Sequence, residues 1–217
     1  MSNDSPGGVN LSKLTLTKAA PIISLTKQGA ATGMLRVNLN WNSRPPGAAP
    51  ARGLFRRAAP QAEAIDLDLA CLWEMADGRK GVVQALGNAF SINDSQGKRI
   101  VWLDGDDRSG DNDAGENIFI DLSALALIRR IVIFTFIYEG AANWAAADAV
   151  VTLFPVSGPQ IEVRLDEVDS RASMCSIALL ENVNGELSVR REVRYVDGHA
   201  ALDAMYGWGL NWKPGRK

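Results

Sequence analysis

Apolar and polar residues alternate along most of the chain with a period of two. In MLRVNLNW, Leu35, Val37, Leu39 and Trp41 fall on one face and Arg36, Asn38 and Asn40 on the other, as in a strand with one buried face. LTLTK (14–18), ISLTK (23–27) and IDLDLACLW (65–73) follow the same rule. RIVIFTFIY (130–138) is instead almost continuously apolar, which predicts a central strand covered on both faces. VVTLFPV and IEVRLDE come next. MCSIALLENVNGELSVRREVRY then reads as a hairpin, because Asn184-Gly185 is a favoured two-residue turn between β-rich arms. Only HAALDAMYG (199–207) carries a helical pattern, closed by Gly207. Short strands joined by turns predict an all-β fold, a two-sheet antiparallel β-sandwich with a short C-terminal helix.

The chain has 217 residues, within the range of one large β domain. The reading is a single domain over 1–217 with one insertion. Residues 43–64, SRPPGAAPARGLFRRAAPQAEA, are rich in Pro, Ala and Gly and carry Arg44, Arg52, Arg56 and Arg57 against Glu63. They join two strong strands and are expected to form a long surface loop. Its basic character suits an acidic partner or anionic lipid.

Composition narrows the function. A formal net charge of −2 gives no basic excess to suggest nucleic acid, and no apolar run is long enough to predict a transmembrane segment. The opening MSNDSPGGVN has no secretory pattern. Cys71 and Cys175 are far apart and form no CxxC motif, so no disulfide framework is expected and the compartment predicted is the cytoplasm. A single histidine, His199, argues against histidine-rich zinc sites and histidine-based triads. It reads as a polar residue in the turn before the helix. Trp208 and Trp212, with Tyr206, read as an aromatic plug closing one end of the sandwich, the alternative being an exposed platform. Met174 and Cys175 read as core.

The chemistry lies in the acidic residues. Asp66 and Asp68 sit two apart in a strand pattern, so both carboxylates project from one face, about 6.6 Å apart along the strand. Ile65, Leu67 and Leu69 take the other face, toward the core. Asp is depleted in strands, and such a local violation often marks a site. The plainer reading is a solvated face. Farther on, LDGDDRSGDNDAGE packs Asp104, Asp106, Asp107, Asp111, Asp113 and Glu116 around one base, Arg108, with three glycines between them. Two carboxylates about 4 Å apart repel by roughly 4 kcal/mol at an effective dielectric near 20. A hard cation would relieve this. Calcium accepts many oxygen ligands in irregular geometry, whereas magnesium demands an octahedron and softer metals want His or Cys. Glycines let such a loop fold tightly. The spacing is not that of an EF-hand, and an acidic hairpin tip is the plainer alternative.

Together these segments resemble the TerD domain of tellurium-resistance and stress-response proteins, closest to its TerA-like branch. The resemblance is carried by IDLDLACLWE and, some thirty residues later, LDGDDRSGDNDAGENIFIDLS. The opening VNLSKLTLTK, the strand IVIFTFIYE and the ending SIALLENVNGELSVRREVRYVDGHAALDAMYGWGLNW add to it. It covers nearly the whole chain apart from 43–64. The resemblance implies a β-sandwich that binds calcium through acidic loops at one edge. Asp66 and Asp68 match the family's Asp-Leu-Asp strand, Asp106 and Asp113 its Gly-Asp-rich loop, and Asp111 and Glu116 keep acidic character nearby. The loop's tail is less acidic here, with Ala114, Gly115 and Asn117, which puts the family's second calcium site in question. Asp107 and Glu139 are candidates to compensate.

The resulting expectation is a non-catalytic cytoplasmic calcium-binding protein. Its ligands are Asp66, Asp68, Asp106, Asp107, Asp111, Asp113 and Glu116, and the ion clamps the 66–68 strand to the 104–116 loop to order a partner surface. By resemblance its partners are other tellurium-resistance proteins, some at the inner membrane face. The alternative is a divalent-metal-dependent hydrolase acting on phosphate esters. Neither a phosphate-cradling GxxxxGK[ST] nor a GxSxG is present, and no second histidine is available as a base. A third reading is a metal-free interaction module whose acidic loop pairs with a basic partner.

Overall fold

A computed structural model describes residues 13–42, 65–104, 115–140, 144–166 and 171–213. The insertion expected at 43–64 lies outside them. Strands are numbered in chain order. One sheet has seven strands, in the order β1 (Lys13–Thr15), β11 (Gln160–Arg164), β10 (Val150–Phe154), β3 (Met34–Asn40), β8 (Glu116–Asp121), β7 (Arg99–Leu103) and β6 (Ser91–Asn93). The other has six, in the order β2 (Ile22–Ser24), β13 (Glu186–Val196), β12 (Met174–Val183), β9 (Ile128–Glu139), β4 (Asp66–Met75) and β5 (Lys80–Val83). Two α-helices are described, α1 (Trp144–Ala147) and α2 (His199–Tyr206). The two-sheet architecture and the C-terminal helix are those the sequence pattern predicts. Pairing is antiparallel except between β1 and β11, which run parallel.

The alternating residues do what their spacing dictates. Leu35, Val37 and Leu39 of β3, Ile118 and Ile120 of β8, and Leu67 and Leu69 of β4 are fully buried in the core between the sheets. The β12–β13 hairpin turns at Asn184 and Gly185, both with positive φ (53° and 85°), the conformation that makes Asn-Gly favourable there. β9 lies between β12 and β4. Its outward residues Val132, Phe134 and Phe136 form a second cluster with Ala70, Leu72, Met174, Leu179, Leu202 and Trp208. The strand is therefore buried on both faces because α2 and the segment after it lie over the six-stranded sheet. Trp208, buried to 2% exposure, covers the face of that sheet, where the sequence reading placed a plug at the end of the sandwich.

Candidate metal centre

Strand ends gather the acidic residues at one pole. Trp41, just past β3, donates its indole Nε1–H to the Ile65 carbonyl at 3.0 Å, which holds the start of β4 beside the end of β3. β3 pairs in turn with β8, Leu39 opposite Glu116. The Asp104 N–H donates to the Asn117 carbonyl at 2.9 Å, so the β7–β8 ladder closes at the base of the acidic loop. Asp66 pairs with Glu139 at the end of β9. Asp66, Asp104, Glu116 and Glu139 thus share one end of the molecule, and Asp68 follows two residues along β4. Asp106, Asp107, Asp111 and Asp113 lie outside the described residues.

The Asp66–Asp68 face is not solvated. Asp66 is 8% exposed, Asp68 1% and Glu116 2%. Burying carboxylates costs several kcal/mol each unless something compensates for lost hydration. Three other carboxylates show the compensation that a base supplies. Glu74 is held by Arg129 at 2.7 Å and Arg130 at 2.6 Å, Glu162 by Lys13 and Arg164, and Asp121 by Lys98 at 2.6 Å. Burial alone would raise the Glu74 carboxyl. The hydrogen bond and charge of Arg130, with Arg129 and Lys80, outweigh it and hold the group below the ordinary carboxylate value.

Glu116 is placed by its neighbours on both sides. Gly115 has φ +58°, and a Cβ there would stand 2.2 Å from the Leu39 carbonyl oxygen, so only glycine lets the chain enter β8 this close to β3. On the other side, Asn117 Oδ1 accepts from Asn38 Nδ2 at 3.0 Å and from Arg36 Nη1 at 3.2 Å. The Glu116 side chain then crosses to the opposite sheet, where its Oε2 accepts the Leu69 N–H at 2.5 Å. β5 pairs with β4 only from Cys71 to Glu74, so Leu69 lies on a stretch of β4 whose edge β5 does not cover. The sequence reading listed Glu116 as a metal ligand at the end of the acidic loop. Its reach to β4 and the part played by Asn38 were missed. The available signal was Gly115 immediately before an acidic residue that opens an alternating strand.

The acidic side chains described at the pole offer oxygen ligands, which suit a hard cation. Among the described residues no three His, Cys, Asp or Glu side chains gather closely enough to hold an ion by themselves. Among the described residues outside the pole, Tyr206, His199, Cys71 and Cys175 are titratable or nucleophilic side chains that lie partly or fully buried. Tyr206 donates its hydroxyl to Ser176 Oγ at 2.9 Å, and burial raises the phenol above its ordinary value. His199 Nε2 donates to Gln84 Oε1 at 2.9 Å, with its ring against Phe134, Phe136 and Trp212. Burial lowers its pKa. Cys71 and Cys175 are buried free thiols, and burial pushes Cys71 up to about 12. No helix among the described residues is long and apolar enough to cross a membrane.

No family model matches the chain. It is 43% identical over 209 residues to the tellurium resistance protein TerA of an Alcaligenes species, a match that covers 96% of this chain and 60% of that protein's length. Two solved structures share the fold. A protein of unknown function aligns with a TM-score of 0.56 at 17% identity, over 80% of this chain and 95% of its own. A homologue of the telluride resistance protein TerD from Streptomyces coelicolor A3(2) aligns with a TM-score of 0.51 at 20% identity, with the same coverage. Over the three fifths of TerA's length that it spans, the chain is thus a relative of that tellurium-resistance protein, on the two-sheet fold it shares with the TerD homologue.

Proposed function

We propose that the protein is a non-catalytic, cytoplasmic calcium-binding member of the tellurium-resistance family, a single domain over 1–217 in which an ion at the acidic pole orders a surface for partners. The observation that supports it is the burial of three carboxylates, Asp66, Asp68 and Glu116, on strands whose ends meet at the base of the acidic loop. The ligand set is those three residues with Asp106, Asp107, Asp111 and Asp113. An ion bound there neutralises like charges and ties the start of β4 to the loop. Binding to the folded state alone stabilises it by RT ln(1 + [L]/Kd). The partners fitted to such a surface are other tellurium-resistance proteins, including those at the inner membrane face. The basic 43–64 segment is a second point of contact.

Calorimetric titration of chelator-treated protein with calcium tests the proposal. The expected outcome is saturable binding that Asp68→Asn weakens about tenfold or more, with much weaker uptake of magnesium. Absence of heat, together with an unchanged melting temperature, refutes it. No observation favours the phosphoesterase alternative, and it is not developed further.

A further inference from the structure

The end of the molecule away from Asp66 carries a cavity of about 420 Å³. Three turns meet there: Ala76 after β4, the 3₁₀ stretch Leu122–Leu127 before β9, and the β12–β13 turn at Asn184 and Gly185. Hydrogen bonds tie these walls together. The Ala76 N–H donates to the Leu127 carbonyl at 2.8 Å. Asn182 Nδ2 donates to the Leu125 and Ile128 carbonyls at 2.8 and 2.9 Å, and its Oδ1 accepts the Gly185 N–H at 2.9 Å. Both amide hydrogens of Asn182 are thus engaged by the scaffold, and the cavity is shaped before any ligand arrives. Ala76, Ala126 and Ile128 supply apolar lining. Beside them in the chain, Leu127 stands 46% exposed, and Val183, between two lining asparagines, 64%.

Arg129 is the one charged group among the described residues that line the cavity. A β-bulge puts it there. Glu74 pairs with Arg130 and Met75 with Ile128, so Arg129 is the extra residue of β9, and bulges re-aim side chains. Its Nη1 donates to Glu74 Oε1 at 2.7 Å, yet the side chain is 64% exposed, which leaves most of a five-donor fork to water. Glu74 does not cancel this charge. It also faces Arg130 at 2.6 Å and Lys80 at 3.8 Å, so three cations surround one carboxylate. Apolar lining, surplus positive charge and a planar fork of donors are complementary to a carboxylate that carries an aliphatic chain.

We propose that this cavity binds a short aliphatic carboxylate, its anionic end on the open side of the Arg129 fork and its chain against Ala76 and Ala126. The site lies about 30 Å along β4 from Asp66, and it stands whether or not a cation binds at the acidic pole.

Amide NMR spectra of the full, chelator-treated chain at constant ionic strength test it, with sodium hexanoate as the probe. The expected result is saturable shifts at Ala126, Arg129 and Gly185. A Kd of about 20 mM or tighter is expected, which a modest ligand efficiency gives a molecule of this size. Hexan-1-ol keeps the chain without the charge and binds about tenfold or more weakly. Arg129→Gln weakens hexanoate about tenfold or more, while Arg129→Lys, a point charge without the fork, loses less. Ala126 is exposed, so Ala126→Trp fills the cavity from the surface and abolishes the shifts with the fold intact. Equal binding of hexanoate and hexan-1-ol overturns the proposal, as do shifts that persist unchanged in Arg129→Gln and Ala126→Trp. An absence of saturable shifts up to about 100 mM, five times the expected Kd, overturns it too. Should Arg129→Gln fail to fold, Ala126→Trp and the alcohol comparison still decide.

Discussion

Glu74 and Asp68 lie on the same face of β4, six residues apart, and both are almost fully buried at 2% and 1% exposure. Glu74 is neutralised from within the protein, by Arg129 and Arg130, and Arg130 also stacks 4.1 Å over the Trp208 ring. Its folded pKa lies below the ordinary 4.5. The stabilisation is therefore fully present above about pH 4.5 and drains away as pH falls through the lower folded value. Asp121 and Glu162 are lowered in the same way by Lys98 and Lys13, against the opposing effect of burial, and add to the same acid window. Thermal melts at steps from pH 7 to pH 3 are expected to hold nearly level and then fall below pH 4.5. Glu74→Gln is expected to cost about 3 kcal/mol at pH 7, since it leaves bases facing an uncharged group, and to make the acid fall shallower. An unchanged acid limb in the variant would show that Glu74 is not its source. The sequence displayed both residues as polar positions in an alternating strand, but not their burial. Alternation names the face, and what covers the face is decided by a segment more than a hundred residues later. The local hint was that the Asp66–Asp68 face continues as Ala70 and Leu72, apolar residues that solvent would not favour.

That covering segment is an element in its own right. α2 ends at Gly207 in the left-handed conformation, φ 61°, and the chain then turns back around Asp203. The Asp203 carboxylate accepts the N–H groups of Gly209 at 2.7 Å and Leu210 at 2.9 Å, and the Trp212 indole N–H at 3.0 Å. Trp208 donates its own indole N–H to the Trp73 carbonyl at 3.1 Å. One buried carboxylate therefore pins the tail over the six-stranded sheet. Asp203→Ala is expected to lower stability by about 3 kcal/mol, the sum of three modest hydrogen bonds, which is a drop of roughly 6–12 °C in melting temperature for a domain of this size. A red shift of tryptophan emission as Trp208 and Trp212 meet water should accompany it. Unshifted emission with native stability would mean that the apolar contacts of Leu202 and Trp208 hold the tail without the clamp. The helix and its stop were legible because periodicity and a terminal glycine are local signals. The parallel partnership of β1 with β11 was not, since a three-residue strand carries no information about a partner 147 positions away. Short β5, β6 and α1 escaped for the same reason. The long strands β3, β4, β9, β12 and β13 announced themselves through alternation or continuous apolarity.

At the scale of the whole molecule, the charge distribution is uneven in a way that the net −2 conceals. Residues 103–116 alone bring six carboxylates against one arginine, and the fold sets the base of this loop beside β4 with Asp66 and Asp68. Without an ion, that pole repels itself through partly aqueous surroundings, where salt screens charges beyond about 8 Å at physiological ionic strength. Raising sodium chloride in the presence of chelator is thus expected to raise the melting temperature, even though salt weakens the exposed ion pairs elsewhere. On the proposed reading, saturating calcium removes the repulsion directly, so it should flatten this salt dependence. At a hundred times Kd it should also add about 2.7 kcal/mol, roughly 5–10 °C. Two slopes, with and without calcium, carry the comparison, because the ion pairs away from the pole contribute equally to both. A calcium-induced rise that leaves the salt slope untouched would mean that the ion binds away from the acidic pole. Identical melts under all four conditions would mean that the pole's charge is balanced inside the protein, without a cation.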